Sequence, residues 1–171
     1  MRAERLERFE DDADVHALTE AAIAAILDGG GFGWVKPPAA AVVEQYYRGM
    51  LLVPERELIV GRMDGTIYGA ALLIKPPRYN EAQAHAAHLT QHFVAPYARG
   101  HGLAKLMLDK VQDRARAVGF SVLDLDVRET QKGAIALYES QGFVRWGTHP
   151  AYARIKGAFV QGHFYYKQLK S

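Results

Sequence analysis

The chain has 171 residues, of which 49% are hydrophobic, so it is long and apolar enough for one globular domain with a substantial core. Its 21 lysines and arginines stand against 19 aspartates and glutamates, which gives a net charge of +2. That small and scattered excess excludes the basic footprint of a nucleic-acid partner. Because the chain contains no cysteine, disulfides, thiolate metal sites and a cysteine nucleophile are also excluded.

No targeting or membrane segment is evident. Met1 to Leu6 are too charged for a signal peptide, and no apolar run approaches the roughly 18 residues of a membrane span. We therefore expect a cytoplasmic protein that has no membrane partner. Neither repeats nor a long linker divide the sequence, so one domain over residues 1–171 is the simplest expectation.

The first half of the chain predicts a strand, two helices and a β-hairpin. Apolar residues at near-helical spacing indicate the first helix, Gly29-Gly30-Gly31 ends it, and Asp64-Gly65 is typical of a hairpin turn. The predicted elements are a strand over Leu6–Phe9, a helix capped by Asp12 or Asp14 and continuing through Leu27, a helix over Ala39–Met50, and strands over Glu57–Met63 and Thr66–Lys75.

The second half predicts strands alternating with helices, followed by a closing hairpin. Alternation of apolar and polar residues over Val122–Val127 indicates a half-buried strand. The predicted elements are a strand over His85–Val94, a helix from Leu103 to about Val118, the strand Val122–Val127, a helix over Lys132–Ser140, and a hairpin of Phe143–Thr148 with Gly157–Gln168. The predicted order is β-α-α-β-β-β-α-β-α-β-β.

A glycine-containing loop, Arg99-Gly100-His101-Gly102-Leu103-Ala104, joins the strand that ends at Val94 to the next helix. A helix N-terminus leaves backbone N–H groups unpaired and carries a partial positive charge, so an anion is its natural ligand. The dinucleotide fingerprint fails because its third glycine is missing, and the mononucleotide P-loop pattern does not occur. The pattern R/Q-x-x-G-x-G/A is met by Arg99, Gly102 and Ala104.

A second motif follows this loop after one helix and one strand. The chain there is similar to the segment N-x-x-A-x-x-L-Y-x-x-x-G-F, through Ala134, Leu137, Tyr138, Gly142 and Phe143, with Gln131 where asparagine is usual. With both motifs in order, the chain resembles the GNAT superfamily of acetyl-CoA-dependent N-acetyltransferases from about His85 to Trp146. The resemblance implies an α/β (α+β) fold in one GNAT-type domain. Its central sheet would be mixed, mostly antiparallel and seven-stranded, with a splay between strands 4 and 5 and about four flanking helices.

The resemblance also implies that acetyl-CoA is the cosubstrate. No metal is expected, because the strand histidines are too widely spaced to hold one ion without further ligands. Arg99, Lys105 or Lys132 are the candidates to reach the 3′-phosphate. Tyr138 is the expected general acid for the CoA thiolate, and the alternative is that it only packs on the pantetheine arm. The residues assigned to acetyl-CoA are Phe93, Val94, Arg99, Gly100, His101, Gly102, Leu103, Ala104, Lys105, Gln131 and Tyr138.

The general base is sought among the histidines of the strand that leads to Val94. Uninterrupted alternation predicts that His88, Thr90, His92 and Val94 share one face. A histidine with a pKa near ~6.5 can accept a proton from an ammonium group at neutral pH. His88 lies where some family members carry a catalytic Glu or His and is the first candidate, with His92, Glu81 or a water molecule as alternatives.

The acceptor is expected to be a primary amine of a small molecule or peptide, bound by segments outside the two motifs. The loop Gly29–Lys36, with Phe32 and Trp34 exposed among glycines, is one such segment, and Tyr79 belongs to a second. A third, His149–Gly157, carries Tyr152 and Arg154. A non-catalytic module that only senses CoA or acetyl-CoA is the alternative function, and the aromatic end Ala158–Tyr166 suggests a homodimer.

Overall fold

Seven strands and four helices make up the chain, which a computed structural model describes over residues 1–30 and 32–170. Their bounds are β1 Arg2–Leu6, α1 Asp12–Leu27, α2 Ala40–Met50, β2 Arg56–Met63, β3 Thr66–Ile74, β4 Ala86–Val94, α3 Leu103–Val118, β5 Val122–Arg128, α4 Lys132–Ser140, β6 Val144–Ile155 and β7 Ala158–Gln168. The predicted order of elements is therefore confirmed. Within these residues, none of the helices is both long and apolar enough to cross a bilayer.

Three local predictions were wrong. The first strand lies at Arg2–Leu6 rather than Leu6–Phe9, because this segment pairs antiparallel with β2, Leu6 opposite Leu58. Helix α1 is capped by Asp11, whose side chain accepts a hydrogen bond from Asp14 N at 3.0 Å, so the predicted caps Asp12 and Asp14 lie inside the first turn. Strand β6 continues to Ile155 through most of the predicted loop at 149–157. Gly31, the last of the three predicted helix-ending glycines, is outside the described residues.

The sheet has the order β1-β2-β3-β4-β5-β7-β6, and only the neighbours β4 and β5 run parallel among the described strands. Their pairing stops at Leu89 opposite Leu125, although β4 continues to Val94 and β5 to Arg128. Beyond that point the two strands no longer pair, which confirms the predicted splay. The splay leaves the backbone edges of both strands open to a ligand.

A β-bulge interrupts β4 just after the splay begins. Thr90 stands opposite Leu72 and Phe93 opposite Ala70, so Gln91 and His92 together face the one residue between, and Gln91 has a φ of 50°. The extra residue reverses the alternation, which puts Val94 on the opposite face from His88 and Thr90. The prediction that His88, Thr90, His92 and Val94 share one face was therefore wrong.

A buried carboxylate near the β1 edge of the sheet is bound by basic side chains from three segments of the chain. Glu57 of β2, with 1% of its side chain exposed, contacts Arg5 at 3.1 Å, Lys75 at 2.8 Å and Arg114 of α3 at 2.8 Å. Burial alone would raise the pKa of the Glu57 carboxyl, but hydrogen bonds from Arg114 and Lys75 outweigh burial and hold it below its ordinary value. This carboxylate therefore ties the β1 edge to α3, the helix that follows the glycine loop.

Candidate active site

The glycine loop ends in an uncapped helix N-terminus. Gly100 and Gly102 have φ values of +88° and +86°, in the left-handed region that disfavours any side chain. Gly102 is the N-cap of α3 and provides no side-chain hydrogen bond. A Cβ atom built on Gly100 would have no neighbour within 4 Å, so the backbone there is open to an incoming group. The first N–H groups of α3 are consequently available to an anion, which fits a pyrophosphate.

Two basic side chains of this region, those of Arg99 and Lys105, are already paired with carboxylates. Arg99 Nη1 donates to Asp28 Oδ2 at 2.6 Å, and its Nε donates to the Val94 carbonyl at 3.3 Å. Lys105 Nζ donates to Asp109 Oδ2 at 2.9 Å, one turn further along α3. Arg99 therefore fastens the loop to the C-terminal end of α1. The backbone N–H groups and Lys132, which lines the same region, remain as ligands for a phosphate.

A cavity of about 480 Å³ runs from the loop into the splay. Among the residues predicted to hold acetyl-CoA, His101, Lys105 and Tyr138 do not line it. The predicted residues that do line it are Phe93, Val94, Arg99, Gly100, Gly102, Leu103, Ala104 and Gln131. Lys132, the third predicted phosphate contact, lines it as well. We call this the donor cavity.

A second cavity, of about 390 Å³, opens on the far side of the splay and contains Tyr138 in its wall. It shares His92, Gln131 and Ala134 with the donor cavity, so the two cavities adjoin at these residues. Phe32, Tyr152 and Arg154 of the predicted acceptor segments line it, whereas Trp34 and Tyr79 do not. We call this the acceptor cavity.

Tyr138 and His92 are hydrogen-bonded where the cavities adjoin. Tyr138 is 5% exposed, and its hydroxyl lies 2.9 Å from His92 Nδ1. His92 Nε2 lies 2.9 Å from the Ala104 carbonyl, which can only accept, so the ring proton is assigned to Nε2 and Nδ1 accepts from the tyrosine. Burial lowers the pKa of His92 to about 4 and raises that of Tyr138 well above its ordinary value. Both groups are consequently neutral at pH 7, and the lowered pKa of His92 makes it too weak a base to be favoured for this role.

Asp126, in the wall of the acceptor cavity, links the side chains of His88 and Tyr152. His88 Nε2 lies 3.0 Å from Asp126 Oδ1, and the Tyr152 hydroxyl donates to Asp126 Oδ2. The hydrogen bond from His88, assisted by that from Tyr152, holds the pKa of Asp126 below its ordinary value, so it is a carboxylate at neutral pH. Asp126 lines the cavity, whereas His88 stands behind it. Glu81, the other candidate base, is exposed and lines neither cavity.

The loop after α1 is fixed rather than open. Phe32 is only 3% exposed, so the prediction of an exposed ring was wrong; it packs on Phe93 with ring centroids 4.9 Å apart. Arg128 Nη2 donates to the Phe32 carbonyl at 2.5 Å, and Gln131 Nε2 donates to the Gly29 carbonyl at 2.5 Å. Gln131, predicted to contact pantetheine, thus holds the loop between the two cavities.

Sequence reasoning gave no role to Asp126, Arg128 or Gln91, all of which line the acceptor cavity. Asp126 and Arg128 are the last polar residues of β5, beyond the end of its pairing with β4. Polar residues at the end of a strand that borders a splay were therefore the available signal. Gln91 had no such signal, since its position depends on the bulge.

An anion-binding loop, a splayed strand pair and two adjoining cavities are the features of an enzyme that brings a phosphorylated donor and a second substrate together. A model of the Acetyltransferase (GNAT) family matches residues 21–143, and the chain belongs to this family. It is therefore an acetyl-CoA-dependent N-acetyltransferase. Over 119 residues it is 60% identical to an uncharacterized N-acetyltransferase from the hisH-hisA intergenic region of Azospirillum brasilense, a match that covers 70% of this chain and 71% of the relative.

Further similarities agree with the family. The chain is 32% identical over 125 residues to N-alpha-acetyltransferase RimI of Mycobacterium tuberculosis, covering 71% of this chain and 70% of that one. The ribosomal-protein-alanine N-acetyltransferase of Brucella melitensis has a TM-score of 0.81 at 23% identity over 99% of this chain and 100% of that one. The structure of yncA from Salmonella typhimurium, solved with acetyl-CoA, has a TM-score of 0.79 at 22% identity and covers 100% of this chain and 96% of that one. These two structures share the fold.

Proposed function

We propose that the protein transfers the acetyl group of acetyl-CoA to a primary amine by direct attack within a ternary complex. The observation that carries this proposal is the adjoining of the donor and acceptor cavities at His92, Gln131 and Ala134. Two substrates bound on either side of that junction have their reacting groups side by side. Much of the rate gain then comes from orientation, because acetyl-CoA is held at both its diphosphate and its pantetheine arm, which fixes the position of the thioester.

Tyr138 is the proposed proton donor to the sulfur. Its raised pKa keeps the hydroxyl protonated until the thiolate departs. In the free enzyme that proton points to His92 Nδ1, so donation requires the O–H group to turn about its C–O bond. The C–N bond forms as the C–S bond breaks, and the proton lost by the amine balances the proton given to the sulfur.

His88 and Asp126 together form the proposed proton acceptor. Asp126 is the member at the cavity wall and attracts the ammonium form of the acceptor, while His88 donates from Nε2 to the carboxylate and orients it. The basic nitrogen of His88 is therefore Nδ1, and the proton that the amine loses reaches it through water. His88→Gln is expected to lower kcat/KM and to change its pH profile, whereas Asp126→Asn is expected mainly to raise KM. Identical pH profiles for His88→Gln and the parent enzyme would remove His88 from this role.

The test of the proposed function is release of CoA from acetyl-CoA in the presence of a panel of amines, amino acids and peptides. Tyr138→Phe is expected to lower kcat about 100-fold or more, the scale of general acid catalysis, while the Kd for acetyl-CoA measured by calorimetry stays unchanged. Tyr166→Phe is the matched control, since Tyr166 lies on β7 and lines neither cavity. Equal kcat values for both variants would contradict the acid role, and failure to bind acetyl-CoA would contradict the whole proposal.

A further inference from the structure

The acceptor cavity contains two arginines without a carboxylate partner. Arg128 and Arg154 both line it, and neither has an aspartate or glutamate oxygen within 4.0 Å in the part of the chain that the structure describes. Most other arginines of the chain, including Arg62 and Arg99, contact at least one carboxylate. Five arginines have no such contact within the described residues, and two of them, Arg128 and Arg154, line this one cavity, while Arg56, Arg78 and Arg145 do not.

Arg128 is the stronger indication of an anion site because it is buried, with 9% of its surface exposed. Its Nη1 and Nη2 atoms donate to the carbonyls of Gly30 and Phe32 at 3.3 and 2.5 Å, which fixes the guanidinium but does not neutralise it. A buried charge without an opposite charge is costly, and a bound anion would offset that cost. The fixed guanidinium is thus a preorganised electrostatic feature of the cavity wall.

Arg154 lies on β6, whereas Arg128 lies on β5, and the side chain of Arg154 is exposed. It stands opposite Phe159 in the β6–β7 pairing, and its guanidinium carbon lies 5.8 Å from the Phe159 ring centroid. That contact leaves the planar edge of the guanidinium free for a bidentate bond with a carboxylate. A flat aromatic support of this kind restricts the side chain without using its N–H donors.

The acceptor cavity also has an acidic side chain in its wall, opposite in charge to the two arginines. Asp126 is its only acidic lining residue within the described chain, and both of its oxygens are engaged by His88 and Tyr152. These bonds fix the carboxylate beside Tyr138 in the cavity wall. The cavity wall thus offers one carboxylate to an ammonium group and two guanidinium groups to an anion.

From this division of charge we infer that the acceptor is a free amino acid, whose ammonium group meets Asp126 and whose carboxylate meets Arg154 in the field of Arg128. The inference rests on the proposed function and names the substrate class for that reaction. A volume of about 390 Å³ suits a molecule of this size. A peptide amino terminus lacks the adjacent carboxylate and would leave the two guanidinium groups without an anion.

The experiment compares free amino acids with their carboxamides, with the corresponding decarboxylated amines and with dipeptides, in a CoA-release assay. At least one amino acid is expected to have a kcat/KM about tenfold or more above its own carboxamide and amine, the scale of one lost charged hydrogen bond. In Arg154→Gln the ratio of acid to carboxamide is expected to fall about tenfold. Lys156→Gln removes a nearby exposed charge that does not line the cavity and is expected to leave the ratio unchanged.

Each outcome decides the matter. Turnover of carboxamides, amines or dipeptides as fast as of amino acids would overturn the acceptor inference and leave the acetyltransferase proposal standing. An unchanged acid-to-carboxamide ratio in Arg154→Gln, in a variant shown by thermal melting to be folded, would do the same. No CoA release from any of the four series would overturn the acetyltransferase proposal, and the acceptor inference with it.

Discussion

Replacement of Gly162 by alanine tests how the acceptor cavity is built. Gly162 of β7 lies beneath the ring of Tyr152, because Pro150, Ala151 and Tyr152 of β6 together stand opposite Gln161 in a bulge. A Cβ atom at Gly162 would fall under 3.0 Å from three ring atoms of Tyr152. Ordinary carbon contacts are about 3.5 to 4.0 Å, so the ring or the strand must move by about 1.5 Å or more.

The expected cost follows from that overlap. Overpacking of this kind destabilises by about 1–3 kcal/mol, which for a chain of this size lowers Tm by roughly 2–12 °C. The displaced Tyr152 also loses its hydrogen bond to Asp126, so kcat/KM for the amine is expected to fall about tenfold. Thermal melting by circular dichroism and the CoA-release assay measure the two effects.

Gly147→Ala is the matched control, since it lies in the same hairpin and its Cβ atom would have no neighbour within 4 Å. In a Tyr152→Ala background the ring is absent, and Gly162→Ala is expected to cost almost nothing. The reasoning is refuted if Gly162→Ala and Gly147→Ala melt at the same temperature. It is equally refuted if the Tyr152→Ala background does not remove the cost.

Three further predictions concern the rest of the site and its support. Because the pKa of His92 is lowered from 6.5 to about 4, the unfolded chain gains a proton first as the pH falls, so the free energy of unfolding should decrease between those values. Urea denaturation at pH 7 and 4.5 should show a smaller decrease for His92→Phe. Gly100→Ala places a side chain at φ +88° and should weaken acetyl-CoA binding in calorimetry by about 1–2 kcal/mol, while Gly49→Ala has no effect. Glu57→Ala should lower the free energy of unfolding by about 3–5 kcal/mol, against under about 0.5 for the exposed Glu10→Ala.

The order of elements was predictable because its signals are local. The Asp64-Gly65 turn, the alternation over 122–127 and the glycine loop each depend on a few neighbouring residues, and the structure has all three. The two cavities adjoin where the motif residues Gln131 and Ala134 lie, so the second motif also located the junction. Local spacing was sufficient wherever one segment determines its own conformation.

The parts that sequence reasoning did not predict depend on distant partners. The bulge at Gln91 is visible only against β3, and it decides which face His92 and Val94 occupy. Phe32 is buried because Arg128, 96 positions further along, bonds its carbonyl. Tyr152 enters the acceptor cavity because Gly162 of β7, which has no side chain, leaves room beneath its ring. No periodicity in one segment contains this information.

The ring of His92 connects the two ends of the donor's binding path. Its Nε2 atom bonds the Ala104 carbonyl in the first turn of α3, and its Nδ1 atom bonds the hydroxyl of Tyr138. Because the imidazole ring is rigid, a shift of the N-terminal end of α3 also moves the hydroxyl group of Tyr138. Under the proposed function, docking of the diphosphate at that helix end and alignment of Tyr138 as the proton donor are therefore coupled. A short thioester that lacks the nucleotide half would reach the splay without engaging that helix end, which gives the fold a physical means to favour the complete donor.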